Sequence, residues 1–332
     1  MEKKSNEKSI FDKSGEQEFT WQSKHIKYFL SLKNIGPATL EEIINLNPDI
    51  NLWNKNYFEL ILSNFHEVKD YLPDSIPNLE NLDDEVVINF RDPRFPDAFK
   101  NMKRNKPLLL WFKGSLSLEK SIAVVGSRNI IPETSEVVDS FTKNATDNEF
   151  AIVSGLANGV DERAHIAALN NNAKTVAILP SSLDNILPQS NRNLAFEILE
   201  NGGLLLSEYE PGSPKVPHKG NYIARNRLQA GLSDAVFVAQ TGLSGGTMST
   251  VKHSIDNQKK LIVYSSKNDF QEYKGNMYLT SNLEDEIEHK KILDITEKQK
   301  EYFLNEKRII SDFIINSVSE AKSFNLNQIY EF

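Results

Sequence analysis

One short segment of the sequence combines three groups that could hold a phosphate. An apolar run, residues 122–125, is followed directly by Gly126, Ser127 and Arg128. A buried strand that ends in this way directs backbone N–H groups, a hydroxyl and a fork-shaped cation towards one point, which suits a phosphate. We therefore expect Arg128 to contact a phosphate, with Ser127 as an added donor. The alternative is that Arg128 braces the neighbouring loop.

The same arrangement recurs further along the chain. Ser154 and Gly155 end the apolar run that starts at residue 151, and a loop follows the run 234–239. That loop consists of Ser244, Gly245, Gly246 and Thr247. We predict that it is an anion-binding nest at the start of a helix, although Thr247 could equally be a helix cap. Gly155 and Gly159 either let the backbone approach a ligand or serve close packing between a strand and a helix.

Positive charge is concentrated between Pro211 and Ser233, where no acidic residue occurs. The basic residues of this stretch that we consider as phosphate contacts are Lys215, Lys219, Arg225 and Arg227, together with the intervening Asn226. Three consecutive residues on a helix spread around its surface, so residues 225–227 cannot all face one ligand. We expect one arginine at a ligand crevice and the other paired with an acid, while the lysines could simply be solvated.

The sequence offers no catalytic arrangement. Asp161 and Glu208 are not accompanied by a nucleophile and a base, so we interpret Asp161 as a helix N-cap and Glu208 as a structural partner. His165, in an alanine-rich stretch, is typical of a core histidine with satisfied hydrogen bonds rather than of a catalyst. The six histidines lack a metal-ligand spacing and there is no cysteine, so we expect neither a metal nor a cofactor.

Composition limits the class of protein. The 332 residues carry a formal net charge of −8 and 39% hydrophobic residues, which is enough for an ordinary core but disfavours a protein that coats nucleic acid by bulk attraction. A confined basic groove remains compatible with this acidity. The sequence has no run of apolar residues long enough for a membrane span and no apolar signal core, so we expect a cytoplasmic protein with no membrane partner.

The pattern of apolar residues indicates an α/β fold, a Rossmann-like mainly parallel sheet with helices on both faces, preceded by a small helical domain. The predicted strands are 122–126, 151–154, 175–180, 203–207, 234–239 and 260–265. The predicted helices are 134–147, 161–171, 190–201, 221–231 and 246–258. A further long amphipathic helix is expected near 297–321. The run 107–114 is predicted to be a strand and a turn.

Five segments follow from this pattern. They are a disordered tail (1–20), a helical domain of the SAM or helix-hairpin-helix type (21–71), a linker or extension (72–114), the Rossmann-like domain (115–268) and a C-terminal helical segment (269–332). Residues 34–39, with Gly36 and Pro37, resemble a helix-hairpin-helix turn. A plain corner between two helices with proline at the first helical position is the alternative.

Taken together, these motifs resemble the DNA-processing protein A (DprA/Smf) family, from about residue 26 to residue 265. The ordered elements that carry the resemblance are residues 92–96, 107–114, 126–128, 154–165, 207–212, 225–233 and 244–245. The sequence departs from the family pattern at Tyr222-Ile223, Leu187-Pro188, Ala239-Gln240 and Ser265-Ser266. The C-terminal segment is short for the winged-helix domain of many members.

The resemblance implies a non-enzymatic protein that binds and protects single-stranded DNA and helps to load a RecA-type recombinase. It also implies a DNA contact at Arg192 and a homodimer through the α/β domain. Apolar residues of the last predicted strand, such as Leu261 and Val263, would then be buried at an otherwise unpaired sheet edge. The alternatives are a sensor of a nucleotide-derived ligand or an N-glycosidase of the lysine-decarboxylase-like type, and a scaffold with a vestigial crevice. Residues 243–250 lack the glutamate of those hydrolases.

Overall fold

The structure is a computed structural model that describes residues 21, 23–32, 35–46, 87–115, 117–213, 216–268, 270–281, 292–303, 305 and 309–331. The chain divides into two compact units, Met1–Leu79 and Glu80–Phe332. The predicted tail 1–20, residues 72–86 of the predicted linker and part of the predicted helical domain lie outside the described residues. The predicted domain boundaries therefore stay predictions.

The described part of the first unit is a pair of helices, α1 (Ser23–Ser31) and α2 (Pro37–Leu46). Helix α2 begins at Pro37. Proline is suited to this position, because the first N–H groups of a helix have no partner within the helix and the missing N–H costs no hydrogen bond. Ile26, Phe29, Leu40 and Ile43 are fully buried, as expected from their helical spacing. Residue 34 of the predicted helix-hairpin-helix turn lies outside the described residues.

The second unit is built on a nine-stranded sheet with the order β1-β2-β6-β5-β4-β3-β7-β8-β9. The strands are β1 (Val87–Asn89), β2 (Leu109–Gly114), β3 (Ser121–Gly126), β4 (Ala151–Ser154), β5 (Thr175–Ile178), β6 (Leu204–Ser207), β7 (Ala235–Gln240), β8 (Lys260–Tyr264) and β9 (Phe313–Ile315). Among the described strands, only β1 with β2 and β2 with β6 pair antiparallel. The predicted Rossmann-like, mainly parallel sheet is confirmed.

Helices cover both faces of this sheet. The helices of this unit, in chain order, are α3 (Asp97–Lys100), α4 (Pro132–Asp147), α5 (Val160–Asn170), α6 (Arg192–Glu200), α7 (Lys219–Leu232), α8 (Gly246–Asp256), α9 (Lys274–Thr280), α10 (Glu297–Tyr302) and α11 (Val318–Ser323). Alternate residues of β3, β4, β7 and β8 enter different cores. In β3, for example, Ile122 and Val124 pack with α4, whereas Ala123 and Val125 pack with Leu228 of α7, which is the two-residue period of a strand buried on both faces.

The C-terminal region corrects one prediction. The long helix expected near 297–321 is wrong, because α10 ends at Tyr302 and the chain later forms strand β9 and helix α11. Residues 313–315 are consecutive apolar residues, which a helix would spread around its circumference and a strand can bury on both sides. Strand β9 pairs parallel to β8, with Val263 opposite Ile314.

This pairing also removes the unpaired edge predicted at β8. The edge strands of the sheet are instead β1 and β9, each of three residues. Short edge strands offer little backbone for pairing with another chain. An unpaired β8 edge therefore no longer supports the expected homodimer, which stays a prediction.

None of the helices in the described ranges is both long enough and apolar enough to cross a bilayer.

Candidate nucleic-acid interface

The predicted motifs converge at the carboxyl ends of three adjacent strands, β4, β3 and β7. From β3 the chain continues to β4 on one side, whereas β7 pairs with β3 on the other side. Ligands of open α/β sheets bind where the strand order reverses in this way, because the loops diverge and leave a crevice. Gly126 ends β3, Ser154 ends β4 and Gln240 ends β7.

A cavity of about 260 Å³ lies at this point. Nine of the predicted site residues line it, namely Gly126, Ser127, Arg128, Arg225, Asn226, Ser244, Gly245, Gly246 and Thr247. A smaller cavity continues from it past Gly155 and Pro188 and shares Arg128, Tyr222 and Arg225 with it. The structure thus brings together most of the predicted set in one crevice.

Two glycines fix the loop that carries Arg128. A Cβ atom on Gly126 would collide with the Val160 side chain, and one on Gly159 would collide with the carbonyl oxygens of Ser127 and Arg128. Gly159 also has a φ of +85°, a conformation that side chains disfavour. Of the two interpretations of Gly159, the structure supports close backbone packing. This packing holds the Arg128 loop against the start of α5.

Arg128 is exposed at the mouth of the crevice. Its guanidinium lies over the ring of Tyr222, with Cζ 5.3 Å from the ring centroid, and no ion pair to it is found within the described part of the chain. A cation held only by an aromatic face keeps its N–H donors available for a phosphate. Arg128 is therefore the residue of the crevice best suited to grip an anion.

Arg225 is buried and acts mainly within the protein. Its Nη1 donates to the carbonyl oxygens of Gly155 (2.5 Å) and Ile178 (2.8 Å), and its Nε donates to Asn226 Oδ1 (3.1 Å). Gly155 has no room for a side chain, because a Cβ atom there would collide with this guanidinium. Arg225 thus joins the ends of β4 and β5 and places a positive charge in the crevice wall.

Asp161 is the buried counter-charge to Arg225. Burial raises the pKa of Asp161, while the Arg225 guanidinium and hydrogen bonds from the Ala157 backbone and the Ser154 side chain oppose that rise. Burial likewise lowers the pKa of Arg225, against the attraction of Asp161. The pair is internal to the crevice wall. The expected N-cap role of Asp161 is wrong, because Gly159 is the N-cap of α5 and Asp161 lies within its first turn.

The loop 244–247 leads directly into helix α8. Gly245 is the N-cap with a φ of +124° and no side-chain cap, so Thr247 is not the cap residue that the sequence allowed. Asn226 Nδ2 donates to the carbonyl oxygen of Gly246 at 2.9 Å, which anchors the loop to α7. The first N–H groups of a helix without a side-chain cap are open to an anion, worth about 0.3–1 kcal/mol per charge.

Gln229 was not predicted. It lines the crevice, is 2% exposed, and its Nε2 has no hydrogen-bond partner among the described residues. The sequence did carry a signal, because residue 229 follows Arg225 and Asn226 by four and three positions and so shares their helix face. Tyr222, one turn before Arg225, carries the same signal.

Arg227 corrects a prediction. It forms a bidentate ion pair with Glu208, at 2.5 and 2.6 Å, and its Nε donates to the Asn105 carbonyl oxygen at 2.8 Å. Both side chains are largely buried, and Arg227 does not line the crevice. The predicted phosphate contact of Arg227 is therefore wrong, because its donors are already used. The predicted pairing of one arginine with an acid, and the structural role of Glu208, are confirmed.

Three predicted contacts lie apart from the crevice or outside the described residues. Arg192, the first residue of α6, lies with its Cζ 5.6 Å from the ring centroid of Phe196, which is 42% exposed. Lys219 is exposed at the first position of α7. Lys215 lies outside the described residues. The DNA contacts of these residues stay predictions.

Possible catalytic groups lie in the core. His165 is fully buried, its Nδ1 lies 2.7 Å from the Thr175 hydroxyl, and burial lowers its pKa to about 3. The expected position of His165 in the core is confirmed, whereas its Nε2 has no hydrogen-bond partner among the described residues. Within the described ranges, no group of three or more His, Cys, Asp or Glu side chains is arranged to hold a metal ion.

Fold and crevice together define a Rossmann-like α/β protein with a crevice at the carboxyl edge of its sheet, lined by Arg128, Arg225 and the N-terminus of α8. The family model of DNA recombination-mediator protein A matches residues 86–299. Because this match covers more than half of the chain, the protein belongs to that family.

Curated relatives agree with this assignment. The chain is 40% identical over 158 residues to DNA processing protein DprA of Streptococcus pneumoniae, which covers 47% of this chain and 55% of that protein. It is 38% identical over 175 residues to protein Smf of Borreliella burgdorferi, covering 51% and 54%. The matched part thus spans about half the length of these relatives.

Solved structures give the same fold. The crystal structure of DNA processing protein A from S. pneumoniae matches with a TM-score of 0.64 and 24% identity, covering 92% of this chain and 98% of that one. A structure of DNA processing protein A from Helicobacter pylori, which concerns its single-stranded DNA binding mode, matches with a TM-score of 0.52 and 33% identity. That match covers 58% of this chain and 86% of the other.

Proposed function

We propose that this protein binds single-stranded DNA and acts as a non-enzymatic recombination mediator. The observation that carries the proposal is the exposed Arg128 guanidinium beside the Tyr222 ring, in one crevice with the uncapped N-terminus of α8. A phosphate placed there would meet fork-shaped donors and helix N–H groups, and a neighbouring base could stack on the ring. The H. pylori relative, with its single-stranded DNA binding mode, supports this function.

Single strands are favoured over duplex by the shape of the site. The crevice is a cleft of about 260 Å³. The sugar-phosphate backbone of DNA must therefore bend into it, with the bases turned aside. A single strand can do this at low cost, whereas a duplex must first unpair. Contacts at Arg192 and Lys219 would extend the path of the strand over the surface.

The finer parts of the proposal concern partners. We propose that the protein protects single strands, helps to load a RecA-type recombinase, forms a homodimer through its α/β unit and works in the cytoplasm. Asp161, Glu208 and His165 have structural partners in the core and the crevice wall. Their placement is in keeping with a protein that binds DNA without modifying it chemically.

Fluorescence anisotropy tests the proposal. Labelled single-stranded and duplex oligonucleotides of equal length are titrated with protein at several salt concentrations, and free nucleotides are added as competitors. We expect tighter binding of the single strand. With about three phosphates neutralised, the plot of log affinity against log salt should have a slope near −2.

Two outcomes would overturn the proposal. Equal or tighter binding of duplex would exclude the cleft as a path for one strand. Binding of mononucleotides alone, with a flat salt response, would favour a sensor of a nucleotide-derived ligand.

A further inference from the structure

A second and larger cavity lies at the opposite edge of the sheet, at the amino-terminal ends of β8 and β9. Its volume is about 550 Å³, roughly twice that of the crevice. Lys260 begins β8 and Asp312 directly precedes β9, and both line it. Since parallel strands place their carboxyl ends at one edge, this cavity and the DNA crevice belong to different ends of the sheet.

The floor of this cavity is apolar. Ile255, Leu261, Phe303 and Ile310 line it, and the last three are 5% exposed or less. Tyr302, at its rim, is 55% exposed. Apolar clefts of about 300–1,000 Å³ are the usual size of ligand sites. The cavity is therefore large enough to take one or two bulky side chains.

The walls are held by hydrogen bonds. Gln299 accepts from the Thr296 backbone N–H at 2.9 Å and donates from Nε2 to Asp256 Oδ1 at 2.9 Å. Asp312 Oδ2 accepts from the Leu261 backbone N–H at 2.7 Å. Both carboxylates that line the cavity thus have donors of their own within the protein.

Four cations surround the same cavity, in a chain whose net charge is −8. They are Arg104, Lys259, Lys260 and Lys298. Within the described ranges, no ion pair is found for any of the four. Burial lowers the pKa of Lys259, against the attraction of Asp234, so this lysine would gain from a further negative charge beside it.

We propose that this cavity is a docking site for an acidic peptide segment of a partner protein that carries a bulky apolar side chain. The apolar side chain would fill the floor and the carboxylates would meet the four cations at the rim. A peptide suits the site better than nucleic acid, because a peptide can place an apolar side chain on the buried apolar floor. The aliphatic part of the floor also offers no hydrogen-bonding partner to a base.

The site belongs in part to the C-terminal segment of this chain. Tyr302, Phe303, Ile310 and Asp312 lie beyond residue 299, where the match to the family model ends. The DNA crevice, in contrast, lies wholly within the matched residues. A partner bound here would leave the crevice free, so one molecule could hold DNA and a partner at once.

The test uses the full chain and a fluorescein-labelled hexapeptide of four acidic residues and two leucines. Two control peptides replace either the leucines by serines or the acids by lysines. We expect the first peptide to bind and neither control to match it. The variant Arg104→Glu with Lys298→Glu should weaken binding about tenfold, because it reverses two exposed cations at the rim.

The matched control variant is Lys174→Glu with Lys322→Glu, since both lysines are exposed and neither lines the cavity. It should bind the peptide within about twofold of the parent chain. Arg128→Ala should also leave peptide binding unchanged, which separates this site from DNA binding at the crevice.

Three results would each overturn the proposal. The first is that the serine peptide binds as tightly as the leucine peptide. The second is that both charge-reversal variants lose the same amount of affinity for the peptide. The third is that a short single strand of DNA displaces the peptide, and does so equally well from the Arg128→Ala variant.

Discussion

Replacing Arg128 by alanine should remove most of the DNA affinity and little of the stability. The side chain is exposed, its guanidinium contacts the Tyr222 ring, and no ion pair to it is found within the described ranges. A bidentate, charge-assisted contact to a phosphate is worth about 1.5–3 kcal/mol. The dissociation constant for a single-stranded oligonucleotide should therefore rise about 10- to 150-fold.

Stability should change far less in this variant. An exposed cation–π contact contributes about 0.5–1 kcal/mol, which corresponds to a fall in Tm of about 1–4 °C for a domain of this size. Arg163→Ala is the matched control, because it removes the same charge from a partly exposed ion pair with Asp139 outside the crevice. Anisotropy gives the affinity and calorimetry gives the Tm of both variants.

The reasoning fails in either of two cases. One is an Arg128→Ala protein whose affinity falls no further than that of Arg163→Ala. The other is a large fall in Tm while the folded fraction binds DNA normally, since Arg128 would then support the fold. Arg128→Lys should lie between the parent and the alanine variant, because it keeps the charge and loses the fork geometry.

Three further predictions concern stability and assembly. Arg227→Ala should lower the free energy of unfolding by about 2–4 kcal/mol, because it leaves the largely buried Glu208 without its partner. Denaturant unfolding measures this change. A loss below about 1 kcal/mol would contradict the structural role of the Arg227–Glu208 pair. The free energy of unfolding should also fall as the pH drops from about 6.5 towards 4, since burial lowers the pKa of His165 to about 3 and only the unfolded chain takes up the proton. This one group contributes up to about 1.4 kcal/mol per pH unit, and a His165→Asn variant with an unchanged pH slope would contradict the assignment. Sedimentation velocity at several concentrations should show a dimer, whereas a strict monomer with and without DNA would exclude one.

Strands β2 to β8 were predictable because their apolar runs are short and bounded by turns, whereas β1 (Val87–Asn89) lies in the segment predicted as a linker or extension. Strand β9 was not predictable from the same pattern. Its three residues, Phe313–Ile315, gain their identity from pairing with β8 about fifty positions earlier in the chain, and a local window does not contain that partner. The apolar spacing around it favoured a helix, and tertiary pairing overrode that preference.

The crevice shows the same limit at the level of single residues. The sequence indicated that Arg225 and Arg227 must point in different directions, but it could not say which one faces the ligand. The answer depends on the rotation of α7 against the sheet, which places Arg225 on the carbonyl groups of Gly155 and Ile178 and Arg227 on Glu208. The local spacing of residues alone determines neither the rotation of α7 against the sheet nor the burial of its two arginines.

Burial assigns different roles to the three arginines, although their chemistry is the same. Arg227 uses Nε and both Nη atoms on protein oxygens, and Arg225 uses Nε and Nη1 in the same way. A phosphate that took these donors would have to displace hydrogen bonds that are already made. Arg128 rests on an aromatic face and would exchange only solvent for the phosphate. The free energy of DNA binding should accordingly be concentrated at Arg128 and the start of α8, while Arg225 and Arg227 maintain the wall and the surroundings against which that contact forms.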